Sequence, residues 1–258
     1  RPDERILQKA CVKVSAQPLE MHDLPGSRPR LLLLRSEVLL GRRSARLRFM
    51  PGYYVFPGGG LEPTDHRLSG FVEPPPEDFG SKIDDGTREL MAALRRAALR
   101  EVWEETGLLI GRVSQEARPR VEPQEGVWQE YRKFRLQPAF SSRQYMARAI
   151  TPATSPIRFH SRFFLCQLDD LTLAGKLLGD GELEDLRWRR LDALEHLPMA
   201  DVTRAVLAQA LRRQRDPHCA PCLFFYRRGA PRRASTRPPD PFSWALTPGW
   251  GRLAAMIR

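Results

Sequence analysis

Arg100-Glu101-Val102-Trp103-Glu104-Glu105-Thr106-Gly107-Leu108 closes an amphipathic stretch, and its reading decides the fold. Ahead of it, Leu90, Ala93, Leu94, Ala97, Ala98 and Val102 recur close to a 3.6-residue period, which predicts a helix over 87–106. Asp85 or Thr87 can cap its start, and Gly107 stands where helices commonly end. Positions i, i+3 and i+4 share a helix face, so Glu101, Glu104 and Glu105 project together. Like charges at that spacing repel. A hard cation that prefers oxygen ligands relieves the repulsion, and Mg²⁺ or Mn²⁺ has that preference.

An isolated E-x-x-E-E string reads as solvated surface. The segment upstream changes that reading. Tyr53-Tyr54-Val55-Phe56 is aromatic and β-branched and predicts a strand. Pro57-Gly58-Gly59-Gly60 breaks it. A strand, a glycine turn and a helix can bring a backbone carbonyl close to a metal held by the helix. Glycine permits the approach because it has no side chain.

Phe56-Pro57-Gly58-Gly59-Gly60-Leu61-Glu62 and Arg100–Leu108 together resemble the two halves of the Nudix box, G-x5-E-x7-R-E-U-x-E-E-x-G-U with U apolar. The resemblance implies an α+β fold, an α/β/α sandwich with a mixed sheet. It also implies metal-dependent hydrolysis of a nucleoside diphosphate linked to another group. On that pattern the Gly59 carbonyl, Glu101, Glu104 and Glu105 hold one to three divalent ions. Arg100 orients the glutamates by bidentate pairing. The general base is Glu101 or a glutamate on a later loop, for which Glu184 and Glu182 are the candidates. Asp65 stands at the first acidic position of the box, an aspartate one methylene shorter than the usual glutamate, in an auxiliary role.

The box is interrupted. Its spacer runs from His66 to Leu99, and residues 66–86 carry Pro74-Pro75-Pro76 and Asp84-Asp85-Gly86, which suit an exposed loop. This resembles a coenzyme A diphosphatase branch of the family that carries a long insertion here. Leu33-Leu34-Arg35-Ser36, the run Gly52 to Gly59, and Ile150-Thr151-Pro152 through Arg158-Phe159 to Arg162-Phe163-Phe164-Leu165 are similar to that branch as well. The likeness implies that Arg35, Arg158 and Arg162 recognise the substrate's 3′-phosphate and adenine, and that the insertion forms a lid or an acyl-chain wall. An ADP-sugar, NADH or a dinucleotide polyphosphate is the alternative substrate. A non-catalytic binding module is the more distant one, since such members usually lose box glutamates.

The resemblance spans residues 29–215, the expected hydrolase domain, between an N-terminal extension over 1–28 and a basic, Pro-rich extension over 216–258. Other predicted elements are strands over Leu31–Leu34, Phe163–Leu168 and Leu186–Trp188, and helices over Trp128–Arg135 and Leu197–Arg213. The net charge of +11 divides unevenly: +8 lies in 212–258 and +6 in 1–50, leaving −3 for 51–211. The catalytic region is therefore mildly acidic, as a metal site would make it. The tail holds seven prolines and no nucleic-acid module, so it reads as a solvated, partly disordered extension. Leu223-Phe224-Phe225-Tyr226, Trp244 and Trp250 predict that some of it packs on the core. No 18-residue apolar run predicts a membrane span, and residues 1–20 do not read as a signal peptide. Cys11, Cys166, Cys219 and Cys222 are read as free thiols of a cytoplasmic protein. The expected partner is a small nucleoside diphosphate derivative, with neither membrane nor nucleic acid.

Overall fold

The computed structural model describes residues 8–12, 37–67, 71, 73, 87–114, 126–140, 143–151, 160–166, 172–216, 218–227 and 230–235. In chain order the elements are β1 (Gln8–Val12), β2 (Glu37–Arg43), β3 (Tyr54–Val55), a 3-10 turn (Pro63–His66), α1 (Arg88–Thr106), β4 (Leu109–Val113), α2 (Val127–Lys133), β5 (Leu136–Pro138), β6 (Arg143–Ile150), β7 (His160–Cys166), β8 (Thr172–Ala174), β9 (Leu183–Arg190), a 3-10 turn (Leu191–Ala193), α3 (Asp201–Arg215), β10 (Cys222–Arg227) and β11 (Ala230–Ser235).

Helix α1 forms as its periodicity predicts. Thr87 Oγ1 accepts the Leu90 N–H at 3.2 Å and caps the start. Gly107, with φ of 71°, reverses the chain in a left-handed conformation open to glycine, and its N–H reaches Trp103 O at 2.7 Å. Burial goes beyond one stripe: Met91, Leu94, Ala98, Leu99 and Val102 are buried, and so are Arg95, Arg100 and Glu105. A helix buried this broadly must pair its charged groups inside the protein, and that requirement shapes the site.

The central sheet has the order β1-β7-β6-β10-β11. The β1–β7 and β6–β10 pairings are parallel, while β7–β6 and β10–β11 are antiparallel. Two smaller sheets have the orders β3-β2-β9 and β5-β4-β8. Alternation along the strands divides the core. Tyr145, Phe164 and Leu39 join Leu94, Val102 and Tyr131 in one layer; Met146, Phe163, Leu165, Val38 and Leu40 join Val206, Leu207 and Leu211 in the other. Sheet therefore lies between α1 with α2 on one side and α3 on the other, an α+β sandwich of α/β/α layers.

Several expected boundaries shift. The helix expected over Leu197–Arg213 begins at Asp201. Pro198 disfavours helix at the residue before it, and its carbonyl instead accepts the Tyr54 N–H at 2.8 Å. The helix expected over Trp128–Arg135 is Val127–Lys133, because Arg135 adopts φ of 53°. The Phe163–Leu168 strand runs over His160–Cys166, and Leu186–Trp188 lies inside β9. Leu31–Leu34 and most of the 66–86 insertion lie outside the described residues. Both flanking segments supply strands: β1 comes from 1–28, and β10 and β11 from 216–258. Cys222 and Phe224 of β10 are buried against the α3 layer, so this part of the basic segment is core rather than a solvated tail. Cys166, Cys219 and Cys222 are not joined in disulfides. No described helix is long and apolar enough to cross a membrane.

Candidate active site

The loop leaving β3 runs directly beneath the last two turns of α1. Three successive loop residues meet three side chains of the helix. Gly58 N–H donates to Glu105 Oε2 at 2.6 Å. Gly59 lies so close to Glu101 that a Cβ there would come within 2.3 Å of Glu101 Oε2. Gly60 O accepts from Arg100 Nη2 at 2.8 Å. The glycine turn is thus required by contact as well as by turn chemistry.

Arg100 is the hub. Its Nε and Nη2 donate to Asp65 Oδ1 and Oδ2 at 3.1 and 2.9 Å. Its Nη1 reaches Glu101 Oε1 at 3.0 Å and Glu104 Oε2 at 2.7 Å, with Glu62 at 3.7 Å. The bidentate partner is therefore Asp65, whereas Glu101 and Glu104 share one guanidinium nitrogen. The Asp65 carboxylate, fully buried, also accepts the Glu62 N–H at 2.8 Å within the 3-10 turn. Asp65 is more than auxiliary to the local structure.

The electrostatics follow from this packing. Burial pushes the Glu101 carboxyl up to about 7; Arg100 opposes the rise, and Glu104 and Asp65 add to it. Burial also raises Glu104, against Arg100, with Glu62 and Asp65 adding. Burial acts against the charged form of Arg100, yet the Asp65 hydrogen bonds and charge, with Glu101 and Glu104, raise its pKa and keep it protonated.

Among the described residues, no three Asp, Glu, His or Cys side chains are grouped as a formed metal site. Arg100 Nη1 supplies the positive charge between Glu101 and Glu104. The donor set nonetheless fits a hard divalent cation: two carboxylates sit on one helix face, and the Gly59 backbone is pressed against one of them with no side chain between.

The later-loop glutamates lie elsewhere. Glu184 pairs with Arg42 at 2.9 Å, and both side chains are over 40% exposed. Its register places it opposite Arg42, which in turn faces Tyr54, four residues ahead of Gly58. The exposed Glu182 lies at the same end of the β2–β9 pairing, where its carbonyl accepts the Ser44 N–H at 2.9 Å. Arg162 is buried in β7 opposite Arg148 of β6, and Arg148 Nη2 is 3.1 Å from His160 Nδ1. Arg35 and Arg158 lie outside the described residues.

Sequence reading missed Arg96 and Glu73. Arg96 Nε donates to Glu73 Oε2 at 2.7 Å, and its Nη1 donates to Asp65 O at 3.1 Å. The available signal was that Arg96 precedes Arg100 by one turn, on the same helix face.

No family model matches the chain. Among solved structures, a Nudix hydrolase from Alicyclobacillus acidocaldarius matches with a TM-score of 0.54 and 26% identity, over 80% of this chain and 90% of that one. A MutT Nudix hydrolase from Burkholderia pseudomallei matches at 0.42 and 17%, over 80% and 98%. The Nudix domain of Shewanella oneidensis NrtR, in complex with ADP-ribose, matches at 0.40 and 13%, over 83% and 90%. The chain has the Nudix hydrolase fold. With the three box glutamates and their arginine assembled beside the glycine loop, fold and site together are those of a pyrophosphohydrolase, an enzyme that acts on phosphorus-containing acid anhydrides.

Proposed function

We propose that this pyrophosphohydrolase cleaves coenzyme A or acyl-coenzyme A to 3′,5′-ADP and 4′-phosphopantetheine or its acyl form. The chemistry rests on one observation: Arg100, Glu101 and Glu105 of one helical stretch meet Gly60, Gly59 and Gly58 in turn. Glu101, Glu104 and Glu105, with the Gly59 carbonyl, would hold Mg²⁺ or Mn²⁺. Bound there, such a cation neutralises diphosphate oxygens and makes water a better nucleophile.

The chain's own residues supply the rest. Arg100 fixes Glu101 and Glu104 relative to the loop. Glu105 anchors Gly58 and so sets the height of the Gly59 carbonyl. Glu101 takes the proton from the attacking water. We assign this role to Glu101 rather than Glu184, because Glu101 stands against the Gly59 loop whereas Glu184 pairs with Arg42 across β2 and β9.

The coenzyme A assignment is supported by the insertion inside the box and by the branch-like segments carrying Arg35, Arg158 and Arg162. The test is a comparison of kcat/KM for coenzyme A, dephospho-coenzyme A and ADP-ribose with Mg²⁺. The expected order places coenzyme A first and shows a loss when its 3′-phosphate is removed. A preference for ADP-ribose, or indifference to the 3′-phosphate, would overturn the substrate assignment and leave the bond-cleaving chemistry in place.

A further inference from the structure

The insertion enters the fold under constraint. Phe71 packs on α2, with ring centroids 6.1 Å from Trp128 and 6.3 Å from Tyr131, and the Arg132 guanidinium lies 5.5 Å over its ring. Two residues on, Glu73 receives Arg96 of α1: Nε donates at 2.7 Å, and Nη2 lies 2.6 Å from the same oxygen. The two side chains are only 15% and 10% exposed, so this pair is far better shielded from water than the surface pairs that contribute little. The third nitrogen of Arg96, Nη1, turns the other way and donates to the Asp65 carbonyl at 3.1 Å.

Asp65 is where this contact meets the catalytic set. Its carbonyl is held by Arg96, and its carboxylate by Arg100 and the Glu62 N–H. Rotation of the Asp65 backbone would swing the carboxylate away from Arg100. The Nη1 of Arg100 would then shift against Glu101 and Glu104. We propose that Arg96 is a positioning residue: it clamps the box insertion, through Glu73, to Asp65 and so sets the placement of Arg100 and the catalytic glutamates. The insertion is thereby linked to the rate of the chemical step as well as to the choice of substrate. This rests on the pyrophosphohydrolase reading of the box and is independent of coenzyme A.

The experiment compares the parent with Arg96→Ala, Arg96→Lys and the charge exchange Glu73→Arg/Arg96→Glu. Three quantities are read: kcat and KM on any diphosphate that the parent cleaves with Mg²⁺, the melting midpoint, and the Arg100 Nε–H resonance in ¹⁵N-arginine-labelled protein. That resonance is assigned by its loss in Arg100→Lys. Arg96→Ala is expected to lower kcat about 10-fold or more, to leave KM within about twofold, and to displace the Arg100 resonance. The charge exchange restores an ion pair but leaves no donor at position 96 for the Asp65 carbonyl. It should therefore regain the melting midpoint while kcat stays low and the resonance stays displaced. Arg96→Lys keeps the charge without the fork; it should show the same split and serves if the exchanged pair fails to fold.

Parental kcat and an unmoved resonance in Arg96→Ala would overturn the proposal. So would recovery of kcat along with stability in the charge exchange, since the clamp would then be merely structural. If the parent cleaves no diphosphate, the pyrophosphohydrolase reading fails, and the resonance alone still decides whether Arg96 positions Arg100.

Discussion

Arg100 and Asp65, separated by 35 residues and the whole insertion, form a forked pair in which Nε and Nη2 meet the two carboxylate oxygens at 3.1 and 2.9 Å. Their side chains are 7% and 1% exposed. Removing Asp65 leaves Arg100 its Glu101, Glu104 and Gly60 contacts but strands the buried Nε donor, which costs about 1–3 kcal/mol. Asp65→Ala should destabilise the fold by that order in urea unfolding, and adding Arg100→Met should recover part of the loss. A single variant within about 0.5 kcal/mol of the parent would show that the pair does not hold the box together.

Gly59 and Gly60 should respond oppositely to a methyl group. At Gly59 the added carbon would come within 2.3 Å of the Glu101 carboxylate; at Gly60 it meets nothing within 4 Å. Neither residue has a positive φ, so backbone strain does not complicate the comparison. Gly59→Ala should lower kcat about 100-fold through displacement of Glu101, while Gly60→Ala stays near parental activity. Equal activity in the two variants would remove the Gly59 contact from the account.

Glu101→Gln should lower kcat by about 10²–10⁴-fold, the usual contribution of a general base, and Glu184→Gln should not. Glu104→Gln should abolish turnover and keep the fold, as the Glu104 side chain is 42% exposed and the glutamine oxygen can still accept from Arg100 Nη1. Circular dichroism and the melting midpoint check the second half of that statement. A collapse confined to Glu184→Gln would transfer the base to the start of β9.

Glu101 also makes stability depend on pH. Its carboxyl is raised by burial from the ordinary 4.5 to about 7 in the fold, so folding favours the protonated form. The stability it contributes is present at low pH and is lost as pH rises from about 4.5 through about 7. In the presence of a chelator, the melting midpoint should fall across that window, and Glu101→Gln should flatten the slope. Because metal ligands must be deprotonated, Mg²⁺ binding near pH 6.5 should release protons, visible by calorimetry in buffers of different ionisation heat. A flat parental profile would contradict the burial of this carboxyl.

Much of this site is written locally. The 3.6-residue pattern, Thr87 and Gly107 mark out α1, and the box motif names Glu101, Glu104 and Glu105 because their function demands one helix face. What lies across the insertion is harder to read. Glu73 and Arg96 are joined only by folding, and neither stands at a motif position; an arginine on a helix ordinarily signals solvent. Arg162 poses the same difficulty, since burial in β7 beside Arg148 depends on register rather than on neighbours in sequence. Strand β11, Ala230–Ser235, has almost no apolar alternation and is stabilised by pairing with β10, a non-local contact that composition does not reveal. The helix start at Asp201 instead of Leu197 was open to reading through Pro198.

The most direct measurement is product analysis after incubating the protein with coenzyme A and a panel of nucleoside diphosphate derivatives, with and without Mg²⁺. The account predicts cleavage at the pyrophosphate only when the divalent ion is present, with 3′,5′-ADP and 4′-phosphopantetheine formed from coenzyme A. Absence of cleavage of every compound, with Mg²⁺ or Mn²⁺ supplied, would contradict it.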